Sequence, residues 1–329
     1  MPLSEQHQGY DATRVVVLGA SGFVGRWVAR ALCMQAAHVG LLVRSQAATE
    51  EICVTYGVQG DIYVLDLCEP AGLRQLLRHI RPSIIFNLAG YGIDRAERDT
   101  QTAYQINASL VQTLCEVSAE IRDTGWRGQD IVHVGSALEY GAISGNVAEH
   151  AQPCPTTLYG QSKLAGTSLL ARRCNEYGVK GVTARLFTVY GPGEHQGRLL
   201  PSLLESASTG RSVQLTAGQQ QRDFTYVEDI AEGLLRLGLA TAKPGEIVNL
   251  ATGQLTTVRR FAEQAASILH MPQDHLLFGA LPTRVEEMEH AAVNLDRLQR
   301  LIAWVPPTSL ELGIRKTCAF LQGYRGDGL

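Results

Sequence analysis

Six short apolar runs, at residues 15–18, 39–43, 62–65, 84–88, 131–134 and 181–186, alternate with amphipathic stretches at 25–35, 71–80, 102–122 and 159–177. Near-continuous aliphatic and β-branched runs of this length are what strands look like when both faces of their sheet are covered. Strands that alternate with helices along a chain are joined by crossovers, which lay helices on both faces of a parallel sheet. The pattern predicts an α/β fold on a doubly wound parallel sheet. With 329 residues, 45% of them hydrophobic and 19% charged, the chain can bury such a core and carry a second unit as well. After about residue 187 the rhythm breaks. Loops rich in Gly, Pro and Gln, at 191–197 and 218–221, separate shorter helices, and only 247–250 reads as a further core strand. The expected organisation is a flexible tail at 1–13 and a sheet domain over 14–186 that takes back about 225–252. A smaller, interleaved C-terminal domain is expected from about 187–224 and 253–329.

Charge and composition exclude several classes. Lys plus Arg number 29 against 32 Asp plus Glu, a net charge of −3, which supplies no basic face for nucleic acid. No apolar run approaches the roughly eighteen residues needed to span a membrane. The polar opening from Met1 to Arg14 lacks the apolar stretch of a secretory signal, so a cytoplasmic protein is expected. Seven scattered cysteines, none spaced C-x-x-C, fit reduced thiols, and nine histidines form no ligand pair, so no metal is expected.

One residue in ten is glycine, 33 in all, and three of them punctuate the first strand. Val15-Val-Val-Leu18 runs directly into Gly19-Ala-Ser-Gly22-Phe-Val-Gly25, and Arg26-Trp-Val-Ala-Arg-Ala-Leu32 follows as a helix. Strand, bare turn and helix in that order let a pyrophosphate approach backbone N–H groups at a helix N-terminus. The spacing is G-x-x-G-x-x-G rather than G-x-G-x-x-G. Gly19, Ser21, Gly22, Phe23, Val24 and Gly25 are therefore expected around a dinucleotide. An acid about twenty positions on usually takes the ribose 2′-hydroxyl, but no Asp or Glu occurs between Asp11 and Glu50. The second strand ends instead in Leu41-Leu-Val-Arg44-Ser45. Arg44, with Arg26, can pair with a 2′-phosphate, which favours NADP(H) over NAD(H).

Tyr159-Gly-Gln-Ser-Lys163 sets a phenol and an ammonium at i, i+4 on one helical face. A buried cation there is expected to lower the phenol toward working pH and fit it for proton transfer. The strand at 131–134 leads into Gly135-Ser136-Ala-Leu-Glu-Tyr-Gly141, which puts the Ser136 hydroxyl at the carboxyl edge of the sheet. Open α/β sheets bind their ligands at that edge.

Taken in order, these motifs resemble the extended short-chain dehydrogenase/reductase family, the nucleotide-sugar epimerases and dehydratases, from about residue 14 to about 321. Further elements of the resemblance are Asp66-Leu67, Asn87-Leu-Ala-Gly90, Asn107, Arg185-Leu-Phe-Thr-Val-Tyr-Gly-Pro-Gly193 and Arg222-Asp-Phe-Thr-Tyr-Val-Glu-Asp229. The resemblance implies a Rossmann-type NAD(P)-binding domain and a substrate-binding domain. It implies Tyr159 as acid/base, Lys163 on the nicotinamide ribose, and Ser136 on the reacting sugar oxygen. Asp66 and Leu67 would lie by the adenine, and Leu88, Ala89, Gly90 and Asn107 along the cofactor. On the substrate side it implies Ala137, Thr188, and two arginines, Arg222 and Arg284, for a nucleotide-sugar diphosphate. Relatives pair helices like 102–122 and 159–177 into a homodimer, which is expected here too.

Two departures shape the functional expectation. Sugar 4,6-dehydratases of the family carry acidic groups just after the Ser or Thr, where this chain has Ala137 and Leu138, neither able to move a proton. Glu139 is one place further on and reads as solvent-facing. Thr188 stands where the family often has Asn. Dehydration is thus disfavoured, and the leading expectation is an NADP(H)-dependent oxidoreductase reducing a 4-keto (6-deoxy) sugar nucleotide. The alternatives are a 4-epimerase with bound NAD, a non-catalytic NADP-sensing regulator, and a reductase of carbonyls not linked to a nucleotide.

Overall fold

The computed structural model describes residues 9–93, 96–141, 145–282 and 291–326. Its first six strands are β1 (Arg14–Leu18), β2 (His38–Val43), β3 (Asp61–Val64), β4 (Ile84–Asn87), β5 (Ile131–Ser136) and β6 (Gly181–Leu186). They alternate with α1 (Phe23–Met34), α2 (Gln46–Tyr56), α3 (Pro70–Ile80), α4 (Thr100–Tyr104), α5 (Leu110–Ile121) and α6 (Leu158–Tyr177). Three short strands follow, β7 (Thr188–Tyr190), β8 (Val213–Leu215) and β9 (Gln221–Tyr226), and then the chain returns to the main sheet as β10 (Glu246–Leu250). The order is β3-β2-β1-β4-β5-β6-β10, and every pairing is parallel.

The apolar runs are explained by burial on both faces. Val15 and Val17 of β1 pack toward Trp27 and Val28 of α1 and toward Ile230 and Leu234 of α8 (Val227–Leu239). Val16 and Leu18 face the other way, toward Leu73 and Leu77 of α3, Leu114 of α5 and Leu170 of α6. Alternate residues of a strand point to opposite faces, so each must be apolar when both are covered. The chain leaves β1 toward β2 and β3, then crosses back to place β4 on the other side of β1. That reversal opens a crevice at the carboxyl ends of β1 and β4.

The rest of the chain builds a smaller layer over this edge. β9 pairs with β7 and with β11 (Leu255–Thr257), while β12 (Leu276–Phe278) pairs with β8. Helices α7 (Leu199–Thr209), α9 (Val258–Ile268) and α11 (Leu310–Gly326) complete it, while α10 (Asp296–Ile302) packs back on β10 and α8 of the main sheet. Tyr190, Phe224 and Phe261 form its aromatic centre, with the Phe224 and Phe261 rings 4.4 Å apart.

Three expectations are corrected. Among the described residues six strands, not the one at 247–250 alone, follow residue 187: β10 joins the main sheet, and the other five, three to six residues long, lean on partners distant in sequence, so no local pattern shows them. The single helix expected at 102–122 is broken by a π-helical turn, Gln105–Ser109, which carries Asn107. The tail expected at 1–13 does not reach Tyr10, which is fully buried and donates its hydroxyl to the Leu235 carbonyl at 2.8 Å. Residues 1–8 lie outside the described residues.

Candidate active site

The glycine loop closes because side chains are absent from it. Gly19 has φ +75°, and the Gly22 N–H donates to its carbonyl at 2.9 Å. A Cβ on Gly25 would collide with the same carbonyl oxygen, so only glycine lets α1 start this close to the end of β1. No side chain caps the first turn of α1 and no acid lies in it. Its N–H groups and dipole face the crevice free of an internal anion, an arrangement that fits a pyrophosphate. Ser21, Phe23 and Val24 line the loop half-buried. Arg26 folds back on it, its guanidinium donating to the Gly22 and Ser21 carbonyls at 3.1 and 2.8 Å and to the Tyr56 hydroxyl at 3.2 Å. Arg26 thus shapes the loop, while Arg44 is exposed just past the end of β2. Asp66 is exposed beyond β3 and accepts the Cys68 N–H at 2.9 Å, with Leu67 half-buried beside it.

Lys163 is 2% exposed, and its ammonium donates to the carbonyls of Ala89 at 3.2 Å and Val134 at 3.1 Å. Those bonds tie α6 to the ends of β4 and β5 and hold Nζ 5.9 Å from the Tyr159 ring centre. Thr157 starts α6 by accepting the Gly160 N–H at 3.0 Å. Burial pushes Lys163 down to about 8. The Tyr159 phenol is pushed up, chiefly by burial, then by Glu139 and Glu97, against a lowering from Arg198 and from a hydrogen bond with Ser136. The expected lowering of the phenol does not follow from the fold: the ammonium donates to two carbonyls, and burial, the largest influence on the phenol, raises it.

Asn107 is fully buried, and its amide is engaged on three sides. It accepts the Tyr91 N–H at 3.1 Å and donates to the Tyr91 carbonyl and the Ser162 hydroxyl, both at 2.8 Å. It fixes the loop in which Leu88, Ala89 and Gly90 cross the crevice. Glu139 is also corrected. Far from facing solvent, it is fully buried and paired through Oε2 with Arg185 Nε at 2.8 Å.

One cavity of about 500 Å³ gathers the parts. Gly22, Phe23, Val24, Gly25, Leu88 and Gly90 line one end, Ser136, Ala137, Leu138, Tyr159 and Lys163 the middle, and Thr188 and Arg222 the far wall. Sequence reasoning missed Glu194, His195 and Arg198, which complete that wall. The signal for them was their place, directly after the Gly191-Pro-Gly193 turn that brings the chain over the crevice. Arg284 lies outside the described residues. Among the described residues, no helix is long and apolar enough to cross a membrane.

A Rossmann-type sheet with this loop and this Ser, Tyr and Lys defines an extended short-chain dehydrogenase/reductase. The chain belongs to the NAD dependent epimerase/dehydratase family, which matches residues 15–251. It is 28% identical over 315 residues to a dTDP-6-deoxy-L-talose 4-dehydrogenase (NAD(P)(+)) of Kitasatospora kifunensis, covering 92% of this chain and 94% of that one. It is 25% identical over 320 residues to a dTDP-4-dehydro-6-deoxy-D-allose reductase of a Streptomyces species, covering 94% and 96%. In structure it resembles the UDP-glucuronic acid 4-epimerase from Bacillus cereus, solved with UDP-glucuronic acid and NAD. The TM-score is 0.82 at 23% identity, over 94% of this chain and 99% of that one.

Proposed function

We propose that this protein is an NADP(H)-dependent oxidoreductase that reduces a 4-keto (6-deoxy) sugar carried on a nucleotide, with Tyr159 as the proton donor. The observation that carries the reading is that one cavity is lined at once by the glycine loop, by Ser136, Tyr159 and Lys163, and by Arg222. An arginine fork suits a diphosphate, and a hydroxyl beside a phenol suits a sugar carbonyl. Bound NADP(H) would supply the hydride. Ser136 and Tyr159 polarise the carbonyl oxygen by hydrogen bonding, and the phenol, kept protonated by its burial, gives up its proton as charge develops there. Lys163, an ammonium at neutral pH, steadies the phenolate that is left.

Reduction is favoured over dehydration because Ala137 and Leu138 face the cavity without a proton to move, while Glu139 is turned away into its ion pair. Arg44 at the end of β2, with no acid between residues 12 and 49, favours NADP(H). The relatives named as a 4-dehydrogenase and a 4-keto-sugar reductase support the same chemistry. Residues of about 187–224 and 253–329 would hold the nucleotide, Arg222 its diphosphate and Thr188 the sugar side.

NADPH oxidation on a nucleotide-linked 4-keto-6-deoxy sugar, followed by absorbance, tests this. Tyr159→Phe is expected to lower turnover by about 10²- to 10⁴-fold while NADPH binding, read by its fluorescence, persists. Wild-type protein that keeps NAD through purification and interconverts a nucleotide sugar without added cofactor would overturn reduction in favour of 4-epimerisation.

A further inference from the structure

The turn that presents Ser136 is closed from behind by a carboxylate. Glu139 Oε1 accepts the Ser136 N–H at 2.8 Å and the Thr167 hydroxyl at 3.1 Å, while Oε2 accepts Arg185 Nε at 2.8 Å. Three elements therefore meet on one side chain: the turn after β5, helix α6 one turn beyond Lys163, and strand β6. A Cβ on Gly135 would come within 2.5 Å of Oε1, so the strand end is left bare to admit it. The Arg185 guanidinium lies 4.3 Å over the Tyr140 ring, and the Tyr140 hydroxyl donates to Asn249 Oδ1 at 2.6 Å. The pair is thereby anchored as far as β10.

A buried ion pair of this kind is weak support for stability, since an apolar pair of the same volume often serves as well or better. Its position next to Tyr159 and Lys163 suggests another use. We propose that Glu139 is a positioning residue of this site, tying the Ser136 turn to α6 and β6 and holding one fixed negative charge behind the Tyr159–Lys163 pair. Burial dominates at both groups, and Glu139 opposes it at Lys163 and adds to it at Tyr159. The other groups acting on Tyr159 are Arg198, Glu97 and Ser136. His133 of β5, the further neighbour of Lys163, is driven down to about 3 by burial and by Lys163, so it is neutral. Glu139 is the anion that acts on both members of the pair.

The chain has four lysines, Lys163, Lys180, Lys243 and Lys316, so carbon-13 labelling at lysine Cε gives a spectrum in which Lys163, assigned by its loss in Lys163→Met, can be titrated directly. In Glu139→Gln, which keeps the shape and an acceptor for the Ser136 N–H, the Lys163 midpoint is expected to fall by about one pH unit. A purely structural role would lower the melting temperature and leave that midpoint in place. If Glu139→Gln does not fold, Glu139→Gln combined with Arg185→Met leaves no unpaired guanidinium and is expected to lower the midpoint by less, because the opposing charge of Arg185 is removed with the carboxylate. An unchanged midpoint in either folded variant overturns the proposal. The inference rests on Tyr159 and Lys163 as the working pair. A shifted midpoint in a protein without reductase activity would therefore sink the functional reading and leave the charge role standing. Active enzyme with an unmoved midpoint would do the reverse.

Discussion

Glu194 stands at the entrance to helix α7 with its side chain 7% exposed, and Arg198 Nε, 3.8 Å away, is its charged neighbour. Burial pushes its carboxyl up to about 8 from an ordinary 4.5, against lowering by Arg198 and by the backbone at Gly191. Below the ordinary value both folded and unfolded chains hold the proton, and no penalty arises. Between 4.5 and about 8 the unfolded chain sheds a proton that the folded one keeps, so stability falls as pH rises through that window. Glu194→Gln stays neutral throughout. Its stability relative to wild type is expected to rise between pH 5 and pH 9 by on the order of 2–4 kcal/mol, read from urea unfolding at both pH values. An equal difference at the two pH values would contradict the cause assigned. The same residue scale explains why Tyr159, Lys163 and Ser136 were legible beforehand and Glu139 was not. The first three announce themselves by helical spacing and by their place at a strand end. Which way a turn residue points depends on what arrives to meet it.

Among the elements, the β1–α1 junction is the most tightly specified. A methyl at position 25 meets the Gly19 carbonyl carbon at 2.9 Å and the Ala20 Cα at 3.0 Å, besides the carbonyl oxygen. At position 22 it meets only that oxygen, at 3.1 Å. Thermal unfolding of the protein without cofactor should therefore rank Gly25→Ala as the more damaging change, by about 1–3 kcal/mol. A larger loss from Gly22→Ala would mean that α1 does not start where it is placed here. Amphipathic periodicity showed that residues 102–122 are helical, but it could not show the π-helical turn. That turn exists because the Asn107 amide is held on Tyr91 and Ser162, and because Gly166 of α6 lets the Asn107 carbonyl approach too closely for a Cβ. Both causes lie outside the segment.

At the scale of the whole molecule, Asp223 joins the smaller layer to the main sheet. The fully buried carboxylate accepts from the Thr252 N–H and hydroxyl, both at 3.0 Å, from the Thr225 hydroxyl at 3.1 Å and from the Gly253 N–H at 2.7 Å. Residues 252 and 253 lie just past Ala251 and the end of β10 in the main sheet, and Asp223 is next to Arg222 on β9. Asp223→Ala leaves buried donors unsatisfied and is expected to cost about 2–4 kcal/mol in unfolding free energy. It should raise the KM for a nucleotide sugar while the Kd for NADPH changes by less than about twofold, because the glycine loop is built without it. A matching loss of NADPH affinity would show that the two halves of the cavity are not separately supported.

The order of strands and helices, the glycine loop and the i, i+4 spacing of Tyr159 and Lys163 are local properties, and the sequence alone determined them. Each depends on residues within about two helical turns, where periodicity and glycine placement act directly. What the tertiary structure decided are meetings between distant segments. Arg185 lies 46 residues from Glu139 along the chain and 2.8 Å from it in the fold. Asn249 lies 109 residues from Tyr140 and 2.6 Å from it. The short strands β7, β9 and β11 likewise pair with one another between distant segments, Thr188 with Phe224 and Asp223 with Leu255. A side chain's burial and its charge partner follow from such meetings, which is why a carboxyl that reads as solvent-facing in sequence lies buried behind the turn that carries Ser136.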